Sequence, residues 1–259
     1  MLAALLAAPW SACAQFSAFV LPARFELKAK AGEVVRDVLE IGNDGVAAGQ
    51  YGVRTSDWSM AADGAVHFSP ETLAADSCRP WARIERHTVI VQAKAKRRFR
   101  FEVHVPADAP AGLCKFALLI ESVGEAATIA PSPTIQVPIQ GRIAVIVYVR
   151  VGGARPQIEF EGMRVEAVNG QPTPFIVLRN SGNAHGRPQG MLSGTDAAGK
   201  PVDFSVASLP ILPGATRAIP LWPSEAEGRA APPVAYPVTI KGRVDWEGGR
   251  REVEITVPR

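Results

Sequence analysis

The sequence predicts an all-β protein built from two tandem immunoglobulin-like β-sandwich domains. Three observations support this: short runs of alternating apolar and polar residues follow residue 15, turn signals separate the runs, and no stretch has the spacing of an amphipathic helix. The chain has 259 residues, of which 47% are hydrophobic. That is enough for two buried cores and excludes a disordered chain.

The first residues have the pattern of a secretory signal peptide. "MLAALLAAPWSACAQ" is an apolar stretch followed by Ala12-Cys13-Ala14, a small-x-small cleavage pattern before Gln15. It is too short to span a bilayer as a helix. We therefore predict a signal peptide over residues 1–14 and export, with a lipid-anchored Cys13 as the alternative.

Two cysteines, Cys78 and Cys114, remain after this segment. An even number of cysteines in an exported chain is typical of a disulfide, and two free thiols are the alternative. The sequence has no Cys-x-x-Cys and no Cys/His cluster, so we expect neither a thiolate nor a metal site.

The first domain is predicted over residues 16–151. Each of its strands is an apolar or alternating run that ends at a turn signal. The predicted strands lie within residues 24–45, 50–60, 81–92, 97–106 and 114–123, and we expect residues 128–133, "TIAPSP", to form a loop.

Residues 134–151, "TIQVPIQGRIAVIVYVRV", are predicted to form one very long strand. Nearly every odd-numbered residue from Ile135 to Val151 is apolar, and alternate residues of a strand face the same side. Pro138 lacks a backbone donor and therefore indicates a strand at a sheet edge. We expect the stripe over residues 143–151 to lie in the core.

A linker, "GGARP" (152–156), precedes a second domain predicted over residues 155–259. The second half repeats the first in outline, because "LEIGNDG" (39–45) and "VLRNSGN" (177–183) are both apolar strands that end in Asn-x-Gly. The turn and strand at 210–221 correspond to those at 93–103.

Several segments of the first domain resemble the periplasmic chaperones of chaperone–usher pilus assembly. Residues 20–44 resemble the first two strands of that family, with Arg24 at the position of its cleft arginine. Residues 114–122, which include Glu121, resemble its penultimate strand, and residues 135–150 resemble its final strand. The resemblance implies two sandwiches in a boomerang-like arrangement.

The resemblance also implies a function and its partners. The final strand would donate apolar side chains to an incomplete pilus or fimbrial subunit, which would be delivered to an outer-membrane usher. The donated residues would be Ile135, Val137 and Ile139. Arg24 would bind the terminal carboxylate of the subunit. The family's cleft lysine aligns with Ala144, so Arg142 on the same face would supply the second charge. In the alternative interpretation, both arginines are ordinary solvated side chains.

Other classes of function find little support in the sequence. The four histidines lie far apart, and no Gly-x-Ser-x-Gly, phosphate loop or His-Glu-x-x-His occurs. Asp57 and Asp63 lie in turn-like surroundings, and we expect His185 on a loop surface. The basic run 94–100 is interpreted as a solvated strand face. We therefore expect no enzyme activity, cofactor, metal, nucleic-acid partner or small-molecule substrate; the alternative function is an exported adaptor that bridges folded partners in the cell envelope.

Overall fold

The computed structural model describes residues 17–61, 64–123, 127–132, 135–139, 141–224 and 234–258. The side chains of residues 127–132 and 135–139 lie outside this description, as do the predicted signal peptide and Asp63. The described residues form β-strands and one short 3-10 helix, Arg79–Trp81. In this part of the chain, no helix is long and apolar enough to cross a membrane.

The residues described before the linker form twelve strands. They are β1 (Ala18–Leu21), β2 (Arg24–Ala29), β3 (Val34–Asn43), β4 (Gly49–Met60), β5 (Val66–Ser69), β6 (Ala82–Ile84), β7 (Thr88–Val91), β8 (Ala95–His104), β9 (Gly112–Ser122), β10 (Ala127–Ser132), β11 (Ile135–Ile139) and β12 (Arg142–Val151).

Two sheets pack face to face to form the first sandwich. One has the order β1-β3-β8-β6 and the other the order β2-β12-β9-β4-β5, with β7 also paired to β4. The Phe25 and Phe101 rings meet edge to face between the sheets, with their centroids 5.0 Å apart. Cys78 and Cys114 form the disulfide that the cysteine count predicts.

The alternation along β12 sorts its side chains as predicted. Val145, Val147, Val149 and Val151 lie in the core between the two sheets. The even-numbered residues therefore face the other side of the sheet, where Tyr148 packs with Trp58 in a smaller apolar cluster.

The prediction of one strand over residues 134–151 is wrong. β11 and β12 belong to different sheets, and β11 pairs with β10 in an antiparallel hairpin. The predicted loop at 128–133 is also wrong, because β10 occupies residues 127–132. A local pattern does not reveal a strand whose backbone groups are satisfied by a partner elsewhere in the chain.

After the linker, the described residues form seven strands that hydrogen-bond into one continuous sheet. They are β13 (Ile158–Val168), β14 (Gln171–Asn180), β15 (Met191–Thr195), β16 (Pro201–Val206), β17 (Thr216–Pro223), β18 (Val238–Trp246) and β19 (Gly249–Val257). Their order is β13-β14-β17-β16-β15-β18-β19. The sheet encloses a second core that includes Phe204, Leu192 and Ile219.

The two Asn-x-Gly segments form equivalent corners at the ends of β3 and β14. The amide of buried Asn43 donates to the carbonyl of Ala47 (2.8 Å) and to that of Val91 (3.1 Å). The amide of buried Asn180 donates to Ala184 (2.7 Å) and Ile211 (2.8 Å) in the same way.

The glycine of each corner completes it. The N–H groups of Gly45 and Gly182 donate to the preceding asparagine Oδ1 at 2.9 and 3.0 Å. A Cβ at Gly182 would lie 2.4 Å from the backbone nitrogen of Gln157, so only glycine fits there without a shift. The repeat seen in the sequence is thus a shared hydrogen-bonding unit.

Candidate functional site: an open strand border and an arginine cluster

The first sandwich leaves part of one strand border unpaired. β9 pairs with the whole of β12, from Arg142 to Val151. On the opposite side, β2 runs parallel to β12 only from Ile146 to Val151. Among the described strands, none pairs with residues 142–145 on that side. Their backbone groups there are available to another strand.

The border of β11 continues this opening. Within the described residues, β11 pairs only with β10. Because β10 follows β9 and β11 precedes β12 in the chain, the side of β11 that does not face β10 corresponds to the side that β2 occupies further along β12. We call residues 135–139 and 142–145, on this side, the open border.

Arg24 lies where the open border ends. It is the first residue of β2 and faces Ile146 across the parallel ladder. Its side chain is 54% exposed, and its Nε lies 3.2 Å from Oε1 of Glu26. A strand added along the open border in the plane of the sheet would therefore meet Arg24 where β2 begins.

Arg142 lies on the same face of the sheet but farther along it. It is four residues from Ile146, which corresponds to about 13 Å along a strand. Arg142 forms an ion pair with Glu121, which also accepts two hydrogen bonds of 2.9 Å from Arg54. These bonds from Arg54, followed by its charge and that of Arg142, lower the pKa of the Glu121 carboxyl. The structure therefore brings Arg24 and Arg142 to one face without joining them.

Glu26 links Arg24 to the second sandwich. Its Oε1 accepts a hydrogen bond of 3.1 Å from Nε of Arg187, and its Oε2 lies 3.5 Å from Nε2 of His185. Contacts with His185, and then with Arg187, lower the pKa of the Glu26 carboxyl to about 2 although burial opposes this. Glu26 is therefore ionised and carries the only carboxylate that the structure places within 4.0 Å of Arg24 or Arg187 among the described residues.

His185 is fully buried, so the expectation of a surface histidine is wrong. Its ring stacks on Tyr148, with centroids 4.1 Å apart and planes inclined by 22°. The loop between β14 and β15 lies against the outer face of β12, which covers the ring. Burial lowers the pKa of His185, so the imidazole is neutral at neutral pH.

A second ion pair joins the two sandwiches beside this contact. Arg150 pairs with Glu247 in the turn between β18 and β19, and its Nη2 donates to the carbonyl of His185 at 3.1 Å. The hydrogen bond that Arg150 Nη1 donates to Glu247 lowers the pKa of the Glu247 carboxyl. The contact between sandwiches is thus charged and hydrogen-bonded around one aromatic stack.

Arg217 is the arginine of this region whose charge is least balanced by a neighbouring carboxylate. Its Nη1 donates to the carbonyl of Pro210 at 2.8 Å and approaches Sδ of Met60 at 2.9 Å. Among the described residues, no carboxylate lies within 4.0 Å of it. Burial lowers the pKa of the half-buried Arg217, and the charge of Arg187 lowers it further.

Sequence reasoning missed the residues that the second sandwich contributes. Arg187 and Arg217 come from a loop and a strand start with no motif of their own. The sequence did contain a signal for Glu26. It lies two residues after Arg24 in β2, so the two side chains share one face of the strand. Asp57 is not in a turn; it lies in β4, is buried, and accepts a hydrogen bond from the Ala74 N–H.

The expected strand-donating residues lie on the open border. The structure places the backbone of Ile135, Val137 and Ile139 in β11. Their side chains lie outside the described part of the chain.

The molecule is thus a two-sandwich β protein with an open strand border beside an arginine cluster. No protein-family model matches the chain, and no curated protein matches it. The chain is similar to a structure of a chaperone–tip adhesin complex of CFA/I fimbriae (14% identity, TM-score 0.49), covering 94% of this chain and 100% of that one. It is also similar to the CsuC–CsuE chaperone–tip subunit complex of Csu pili of Acinetobacter baumannii (16% identity, TM-score 0.46, 93% and 98% covered). A third similar structure is the CupB2 chaperone of Pseudomonas aeruginosa (13% identity, TM-score 0.46, 92% and 100% covered).

Proposed function

We propose that this protein is a chaperone that binds an incomplete fibre subunit by strand addition. The observation that carries the proposal is the open border, which ends at Arg24. A strand that pairs with this border would satisfy its backbone groups, as in other recognition by β-augmentation. A protein usually covers or blunts such a border, so an uncovered one favours a binding role.

Apolar side chains would supply much of the affinity. Ile135, Val137 and Ile139 alternate with polar residues or proline along β11, so they share one face of the strand. Full burial of each such side chain contributes about 1.5–3 kcal/mol. A subunit that lacks one strand of its own core would bury these residues and become stable while bound.

The charged residues would set the register of the bound strand. A carboxylate at its end would form charge-assisted hydrogen bonds with the exposed guanidinium of Arg24. Arg142, Arg54 and Glu121 together carry one net positive charge beside the border. Arg142 would thereby attract an acidic group farther along the strand.

The remaining features fit a chaperone of a surface fibre. The disulfide is typical of an oxidising compartment, which supports export to the periplasm after loss of residues 1–14. The proposed domains are residues 16–151 and 155–259, and the proposed partners are pilus or fimbrial subunits and an outer-membrane usher. Neither strand addition nor release requires a nucleotide or a metal in this mechanism.

Co-expression with a small secreted fibre subunit, followed by purification of the complex, tests the proposal. Val137→Asp and Arg24→Ala should each reduce recovery of the complex by at least about tenfold, because a buried charge or a lost ion contact weakens the bound strand. Val46→Asp and Arg98→Ala are matched controls at exposed positions away from the border. Full recovery with both test variants would refute the proposal.

A further inference from the structure

The face of the first sandwich that meets the second carries more positive than negative charge. The guanidinium of Arg187 lies over the Tyr148 ring, and the charges of Arg24, Arg217 and Glu26 also act on the Tyr148 hydroxyl. Nε of Arg24 and Nε of Arg187 contact the same oxygen, Glu26 Oε1, at 3.2 and 3.1 Å. The guanidinium of Arg187 also lies 5.7 Å from the centre of the Tyr148 ring.

Arg217 adds to this excess of charge. Met60, which Arg217 contacts, packs in the apolar cluster that contains Tyr148. Burial raises the pKa of Tyr148, while Arg187, Arg24 and Arg217 each lower it, so all three lie within electrostatic reach of its hydroxyl. With His185 neutral, one carboxylate balances three guanidinium groups.

We propose that Arg187 and Arg217 of the second sandwich, together with Arg24, form the binding site for the carboxylate that ends the client strand. This inference rests on the proposed function and deepens it. The anchor is then shared by both sandwiches, and its second cation is Arg187 instead of Arg142. Arg187 shares a carboxylate oxygen with Arg24, whereas Arg142 is separated from Arg24 by four residues of strand and is paired with Glu121.

A carboxylate is the ligand that this arrangement favours. Guanidinium groups bind carboxylates through paired, charge-assisted hydrogen bonds, and such bonds are stronger where solvent is partly excluded. Arg187 is only 16% exposed and already holds one carboxylate, that of Glu26. A second carboxylate would offset one of the two uncompensated charges of the cluster.

Peptide binding tests this inference on the full-length protein. The probe is a synthetic twelve-residue copy of the C-terminal strand of the co-purified subunit, made once with a free carboxylate and once as the amide. Affinity for the amide reports strand addition alone, and the ratio of the two affinities reports the carboxylate site. The wild-type protein should bind the acid at least about tenfold more tightly than the amide.

The variants then locate the site. Arg187→Ala and Arg217→Ala should each reduce the preference for the acid to less than about threefold and leave amide affinity unchanged, whereas Arg187→Lys should restore part of it. Arg142→Ala and Arg98→Ala should retain the preference. Unchanged amide affinity also shows that each variant is folded, and Arg217→Ala leaves no carboxylate unpaired among the described residues.

Three results would overturn the inference. The first is equal affinity of the wild-type protein for acid and amide, and the second is full acid preference in both Arg187→Ala and Arg217→Ala. The third is loss of the acid preference in Arg142→Ala together with its full retention in Arg187→Ala, which would assign the carboxylate to Arg142. Failure of both peptides to bind would refute strand addition itself and the inference with it.

Discussion

The two sandwiches share a corner and differ at their borders. Asn43 and Asn180 make the same set of backbone hydrogen bonds, each closed by a glycine two residues later. In the second sandwich, the end strands β13 and β19 lie close to each other. In the first, β11 and the beginning of β12 have no strand on one side among the described residues. The asparagine corner therefore stabilises both sandwiches. The two sandwiches differ in their strand borders, and we relate the proposed function to that difference.

The second sandwich contacts the first through one of its loops. Its loop with His185 and Arg187 lies against the outer face of β12, next to the first residues of β2. It thereby holds charged groups beside the end of the open border. Under the proposed function, the first sandwich offers the open border and the second would help to fix where the incoming strand ends.

The largest expected difference between the sandwiches comes from the disulfide, which only the first contains. Replacing Cys78 and Cys114 with alanine should lower the free energy of unfolding of the first sandwich by about 4 kcal/mol, since the bond closes a loop of 36 residues. Amide hydrogen exchange, resolved by strand, measures this. Exchange should accelerate in β3, β8 and β9 but not in β14 or β17. Equal acceleration in both sandwiches would contradict independent cores.

The asparagine corners should respond alike. Asn43→Ala and Asn180→Ala each leave several buried backbone groups without a partner, and each should cost about 3 kcal/mol of unfolding free energy. Urea denaturation measures both, with Asn183→Ala at an exposed position as the control, expected to cost less than about 1 kcal/mol. A large cost at one corner with none at the other would show that the corners are not equivalent.

A smaller, pH-dependent effect should be confined to the contact between the sandwiches. The pKa of His185 is lower in the folded protein than its ordinary value of 6.5, so below pH 6.5 the unfolded chain takes up a proton that the folded protein resists. Stability should therefore fall as the pH drops below 6.5, by at most about 1.4 kcal/mol per pH unit. The pKa of Glu26 is lowered to about 2, so the contribution of Glu26 to the free energy of unfolding should be lost only as the pH falls below about 4.5.

Replacing His185 with glutamine should flatten this pH dependence between pH 6.5 and 5, measured by urea denaturation at several pH values. Charged groups that face the ring are Glu26 on β2, Arg150 on β12, Arg187 on the same loop and Glu247 in the turn after β18. Asn183→Ala, in the same loop and without a titratable side chain, is the control and should leave the slope unchanged. An unaltered slope in the His185 variant would show that another group titrates.

The sequence predicted those parts of the fold that local patterns encode. The odd-numbered residues of β12 point into the core because alternation is a property of any strand. The Asn-x-Gly repeat identified both corners because its geometry needs those residue types. The β10–β11 hairpin escaped prediction because Pro131 and Pro133 resemble loop residues and pairing is decided elsewhere.

The sequence predicted only some of the residues of the candidate site. The structure places Arg24 at the end of the open border, and its role there stays a prediction. Arg187 and Arg217 reach the site only through contacts between residues more than 150 positions apart, such as Arg187 with Glu26. No residue spacing in the sequence predicts such a long-range contact. The burial of His185 depends on the same long-range packing.

The central claim is that an incoming strand pairs with the open border of the first sandwich. Amide hydrogen exchange of the protein, free and bound to its purified subunit, tests it most directly. We predict that exchange slows across residues 135–139 and 142–145 on binding, while β13 and β19 of the second sandwich keep their rates. Unchanged exchange along those border residues in a saturated complex would contradict the account.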